Sequence, residues 1–175
     1  MTVEQFAQME TADNQAYELV DGELVSLASS TPLECLVRDR LGRLVWSYFD
    51  VLPATGGAIL ELDVRIAADG VRRPDLSIFL SDQWRQLNVR QVPVPFAPTL
   101  AVEVISPSEH LIDVSRRVRD YLTAGGQEVW LLDPENTELH VRTKLSSRVL
   151  EAGGTLESPL LPGFSVAVEV LLAER

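Results

Sequence analysis

Cysteine is almost absent: Cys35 stands alone in 175 residues, so no disulfide can close within the chain, and a reducing, cytoplasmic setting is expected. Its place beside Leu36 in a helical pattern suits an inert small side chain. With that thiol and only two histidines, His110 and His140, one chain cannot assemble a zinc site. No apolar run is long enough to span a bilayer, so no membrane helix is expected. The opening MTVEQFAQMETADN is acidic and has no apolar core of the kind a secretory signal needs. Positive charge is also short. A net charge of −11 and a pI near 4.6 work against tight, sequence-independent binding to a phosphate backbone. There is no GxSxG, no glycine-rich phosphate loop and no Cys/His pair in a catalytic context. Repeats, low-complexity tracts and long linkers are missing too, so residues 1–175 read as one domain. What is present, 46% hydrophobic and 23% charged residues, is enough for a full core.

The apolar spacing sets the expected elements. Residues 3–9 fit a short helix, and YELVDGELVSL fits a hairpin turning at Asp21-Gly22. Thr31-Pro32 should start a helix whose apolar face is Leu33, Leu36, Val37, Leu41, Leu44, Val45 and Tyr48. AILELDVRI alternates as one half-exposed strand, and VRRPDLSIFL reads as the next after Asp69-Gly70. Residues 81–98 carry Pro93, Pro95 and Pro98 and read as a loop with at most one helical turn. TLAVEVIS is a strand, and residues 112–124 a helix packing through Val114, Val118, Tyr121 and Leu122 and ending at Gly125-Gly126. EVWLLD, TELHVRT and SRVLE are further strands, and FSVAVEVL is a last one. Interleaved helices, strands and hairpins predict an α/β or α+β fold with a mixed sheet.

Two carboxylates interrupt this apolar pattern. Asp75 heads the run LSIFL and Glu103 lies inside LAVEVI. A carboxylate within a buried strand is expensive unless a cation or hydrogen bonds meet it. Two on neighbouring strands suit a divalent cation held by oxygen ligands, which can activate water and polarise a phosphoryl group. The simpler alternative is a strand-initiating Pro-Asp and one inward Glu paired with an arginine. Glu18 in YELVDGE is a third candidate, or else a solvated strand residue opposite Glu23. Asp113, Arg117 and Tyr121 share one side of the 112–124 helix. Arg117 can reach back to the sheet or pair with Asp113 at the surface, whereas Arg116 and Arg119 point elsewhere. Arg38, Arg40, Arg43, Arg72 and Arg73 form either a local basic surface or a charge-compensated helix face.

The order YELVDGELV, a Leu-rich helix, RRPDLSIF, LAVEVISPS, DVSRRVRDYLTAGGQEVWLLDP and SPLLPGFSV resembles a large bacterial family of putative restriction endonucleases within the PD-(D/E)XK nuclease superfamily. The likeness runs from about Tyr17 to Val166. It implies a restriction-endonuclease-like fold, a central mixed β-sheet flanked by helices with extra N- and C-terminal hairpins, usually assembled as a dimer. It also implies a metal, Mg²⁺ or Mn²⁺, on Asp75 and Glu103, with Glu18 as an auxiliary acid. The superfamily lysine two residues after the Glu is replaced by Ile105; the family places it on the next helix, where this chain has Arg117. The histidine the family often carries at the start of its long helix is replaced, at about that place, by Glu34. Arginine clamps phosphate but accepts no proton from water.

Two functions are therefore expected. The first is a Mg²⁺- or Mn²⁺-dependent nuclease acting on DNA. The second is a degenerate nuclease fold acting as a dimeric binding or regulatory module. A homodimer is expected through the late hairpin, Glu138–Glu151, or the apolar tail. If Glu18, Asp75 and Glu103 cluster, their mutual repulsion should raise at least one pKa.

Overall fold

The computed structural model describes residues 1–9 and 15–174. A short helix, α1 (Val3–Ala7), is followed by β1 (Tyr17–Val20) and β2 (Glu23–Ser26). The hairpin between them turns at Asp21 and Gly22, with φ of 50° and 77°. Those are the two positive values a type I′ turn requires, and Asp-Gly supplies them at little steric cost. Helix α2 (Pro32–Val51) starts where expected. Thr31 Oγ1 accepts from Glu34 N at 3.3 Å, and Glu34 Oε2 accepts from Thr31 N at 3.0 Å, a reciprocal capping box. Its buried row is Val37, Leu41, Val45 and Phe49, one residue every four. Leu36 and Leu44, expected on that face, lie about 100° round the helix and are exposed.

Two expected strands are each split. AILELDVRI breaks at Glu61, whose φ is 47°, into β3 (Gly56–Leu60) and β4 (Val64–Ala67), which join different sheets. VRRPDLSIFL becomes β5 (Gly70–Arg72) and β6 (Leu76–Leu80), parted where Pro74 has no amide proton to give a ladder. The expected loop holds a six-residue helix, α3 (Ser81–Gln86). It has no side-chain cap and buries none of its own residues, so neither helix signal marks it in the sequence.

The remaining elements are β7 (Leu100–Val104), α4 (Leu111–Thr123), β8 (Glu128–Asp133), β9 (Glu138–Arg142), β10 (Ser147–Leu150), β11 (Thr155–Glu157), β12 (Ser165–Ala167) and α5 (Val168–Leu171). The expected tail strand is thus half strand and half helix, and Val168 and Leu171 are buried.

The main sheet runs β10-β9-β8-β7-β6-β3. It is mixed: β7 and β8 are parallel and every other pair is antiparallel. A parallel pair needs a crossover, and α4 provides it. One face carries Leu76, Ile78, Leu100, Val102, Trp130 and Leu132 against the α2 row. The other carries Phe79, Ala101, Val129 and Leu131 against Val114, Tyr121 and Leu122 of α4. Burying each large aliphatic or aromatic side chain in these layers contributes about 1.5–3 kcal/mol. A second sheet, β2-β1-β5-β4, packs its Leu19 and Val71 against Val3 and Phe6 of α1. Among the described residues no helix is long and apolar enough to cross a membrane.

Candidate active site

The pleat puts Asp75 and Glu103 together. In the antiparallel β6/β7 ladder Ser77 faces Ala101 and Leu76 faces Val102, so the next position opposes Asp75 to Glu103. Side chains alternate along a strand, hence both carboxylates share the face of Ser77 and Ala101, the face that α4 covers. Both line one cleft of about 330 Å³, with Glu18, Glu34, Glu61, Glu109, Arg73 and Arg117 around them.

Each of the two is held by one oxygen. Asp75 Oδ2 accepts from the Val104 amide at 2.7 Å, and Glu103 Oε1 accepts from the Tyr121 hydroxyl at 2.5 Å. Tyr121 is fully buried on α4. Among the described residues the other oxygens, Asp75 Oδ1 and Glu103 Oε2, take no hydrogen bond. Glu34 repeats the pattern. Its Oε2 serves the α2 cap, while its Oε1 is buried without a partner. The residue standing for the family's histidine therefore does two things, of which only the cap was legible in Thr31-Pro32.

Arg117 projects from α4 towards the sheet, not outward to Asp113. Its Nε lies 3.7 Å from Glu103 Oε2, and its Nη2 is in ion-pair contact with Glu109 Oε1. Both nitrogens are buried, and neither has an aligned hydrogen-bond acceptor. Glu109 was not singled out in the sequence; only the turn before α4 brings it here. Its Oε2 accepts from Ser106 N at 3.1 Å.

Glu18 is buried and faces Val25, not Glu23, so the solvated alternative is corrected. Its Oε2 accepts from Arg72 Nη1 at 2.7 Å and its Oε1 from Arg73 N at 2.8 Å. Both oxygens are thus engaged by the fold, and Glu18 brings its charge to the cleft wall. Arg72 also binds Asp120, at 2.5 Å, and Arg73 binds Asp63, at 2.6 Å. Arg38 pairs with Asp39 and Glu61, and Arg40 donates to the carbonyls of Leu171 and Ala173. Of the two readings of these arginines, charge compensation fits four of the five: Arg38, Arg72 and Arg73 are paired with carboxylates and Arg40 with backbone carbonyls.

Burial governs the protonation of the pair. It raises Asp75 to about 6, against the Val104 amide and the charges of Arg38 and Arg117. It raises Glu103 to about 8, with Arg117 opposing and the charges of Asp75 and Glu18 adding to the rise. The expected rise is present, but desolvation leads and carboxylate repulsion follows. Burial also works to lower Arg117, yet Glu103 and Glu109 outweigh it and hold the guanidinium firmly charged.

The comparisons with known proteins add a family. The Uma2 family, whose description is "Putative restriction endonuclease", matches residues 3–169. This chain belongs to that family. Among solved structures, a putative nuclease belonging to DUF820 from Anabaena variabilis ATCC 29413 superposes with a TM-score of 0.85 at 19% identity. The match covers 99% of this chain and 98% of that one. Such a likeness fixes the fold, the restriction-endonuclease-like one that the sequence pattern implied. No curated protein gives a match.

Families of this kind generally use divalent metal ions. The donor set here fits one. Two carboxylates, each anchored through one oxygen and open at the other, suit a hard cation that keeps several waters. Among the described residues no three His, Cys, Asp or Glu groups converge into a ready-made cage. Mg²⁺ does not need one, since it binds through one or two carboxylates together with water and substrate phosphate.

Proposed function

We propose that the protein is a Mg²⁺- or Mn²⁺-dependent nuclease that hydrolyses phosphodiester bonds in DNA. One observation carries this reading: the open oxygens of Asp75 and Glu103 share a cleft with Arg117, whose buried Nε has no hydrogen-bond acceptor while its Nη2 is tied to Glu109. Asp75 and Glu103 would hold the metal, which, when bound, lowers the pKa of its water and polarises a phosphoryl oxygen. The chain's own residues supply the rest. Val104 N and Tyr121 Oη fix the carboxylates, so that little ordering remains when substrate arrives. Arg117 offers its unpaired Nε–H to a non-bridging phosphate oxygen, and its charge neutralises charge that develops there. It cannot act as the base, because guanidinium stays protonated. The only lysine, Lys144, lies in the late hairpin, far in sequence from the site.

That last point favours one alternative, a nuclease fold that binds nucleic acid as a dimer without cutting it. Incubating plasmid with the protein and Mg²⁺ or Mn²⁺ separates the two. Nicking that Asp75→Ala abolishes supports hydrolysis. Binding that persists with no nicking by the wild type supports the alternative.

A further inference from the structure

Arg117 stands between two carboxylates and contacts them unequally. Its Nη2 touches Glu109 Oε1, whereas its Nε stops 3.7 Å from Glu103 Oε2, beyond hydrogen-bond reach. Glu109 is itself pinned, because its second oxygen accepts from Ser106 N at 3.1 Å on the turn before α4. Glu103 is pinned too, through Tyr121 at its other oxygen. The guanidinium is the one long, adjustable part of the set. Drawn to Glu109, it leaves Glu103 Oε2 without a donor; released, it has Glu103 as its nearest remaining anion.

We infer that Glu109 is a positioning residue that holds Arg117 off Glu103 and so keeps Glu103 Oε2 open for a divalent cation. This rests on the metal reading above. Arginine forms two-pronged hydrogen bonds with a carboxylate when geometry allows, and such a pair occupies the oxygens a metal would use. Without Glu109, cation and guanidinium compete for the same atom. Glu109 thus acts on metal affinity through Arg117, not as a ligand.

The test is Mn²⁺ binding by titration calorimetry at fixed pH, on the full-length protein with its fold checked by circular dichroism. Four proteins are compared: wild type, Glu109→Gln, Arg117→Met and the double variant. Gln keeps an oxygen for Ser106 N while giving up the charge that attracts Arg117. Glu109→Gln should weaken Mn²⁺ binding by about tenfold or more, the scale of one charge-assisted hydrogen bond. Arg117→Met should bind at least as tightly as wild type. The double variant should match Arg117→Met to within about twofold, since the two effects pass through one side chain. Equal weakening by Glu109→Gln with and without Arg117 would show a direct or purely electrostatic role and overturn the inference. So would a Glu109→Gln protein with wild-type affinity. Wild-type protein that binds no Mn²⁺ overturns the metal reading itself, and this inference with it.

Discussion

Replacing Glu103 by Gln removes a buried titratable group yet keeps the oxygen that accepts from Tyr121 Oη. The effect on metal-free protein depends on pH. The folded-state pKa of Glu103, about 8, lies above the ordinary 4.5, so the folded protein holds a proton that the unfolded chain has released. The stability this group contributes is fully present below about pH 4.5 and is lost as the pH rises towards about 8. At 1.36 kcal/mol per unit, the imbalance lowers stability by about 3 kcal/mol at pH 7 and about 1 kcal/mol at pH 5. Glutamine does not titrate and escapes it. Glu103→Gln should therefore melt about 6–12 °C above wild type at pH 7 but only about 2–4 °C above it at pH 5, for a chain of this size. The assay is a thermal melt in chelator at both pH values. Mn²⁺ at a hundredfold excess over its dissociation constant should then raise the wild type alone, by about 2.7 kcal/mol. An equal gain at both pH values, or a loss at pH 7, would refute burial as the source of the shift.

Other perturbations probe the surroundings. Arg72→Met should cost about 3–5 kcal/mol in denaturant unfolding, because it strands the buried Glu18 carboxylate; an unchanged midpoint would show that Glu18 is satisfied elsewhere. Arg117→Ala should slow plasmid nicking by about 10²–10³ without weakening Mn²⁺ binding, the loss typical of one preorganised charge-stabilising donor. Full activity in that variant removes its assigned role. Leu41→Ala, at the centre of the α2 row, should cost about 2–5 kcal/mol, and a smaller loss by calorimetry would mean that the sheet closes over the gap. We also propose a homodimer through β10, one of the two edge strands of the main sheet, where Val149 is exposed. Sedimentation should show a dimer at micromolar concentration that Val149→Lys dissociates; a monomeric wild type rejects it.

Local chemistry was legible wherever one short segment decided the outcome. Asp21-Gly22 dictates its turn by the φ it tolerates, Thr31-Pro32 and Glu34 dictate a helix start, and Gly125 ends α4 with φ of 109°. Short runs rich in β-branched residues put Glu103 on a strand and Asp75 at the head of one, which in the structure starts one residue later at Leu76, and the order of six segments pointed to the family that matches residues 3–169. Splits and pairings were not legible, because a strand's partner lies elsewhere in the chain. AILELDVRI alternates without a break, yet Glu61 bends it from one sheet to another. The burial of Arg72 was not legible because side-chain burial depends on what packs above, not on neighbours in sequence. By itself, then, the sequence determined the helix caps, the turns and the alternating strands, since each is fixed by steric or periodic rules within a few residues; it also singled out Asp75 and Glu103 as carboxylates in apolar runs. Only the tertiary structure decided that Glu18 is locked by Arg72, that Glu34 has one open oxygen and that Glu109 holds Arg117. Each of those outcomes depends on which elements the two sheets and their helices bring within a few ångströms.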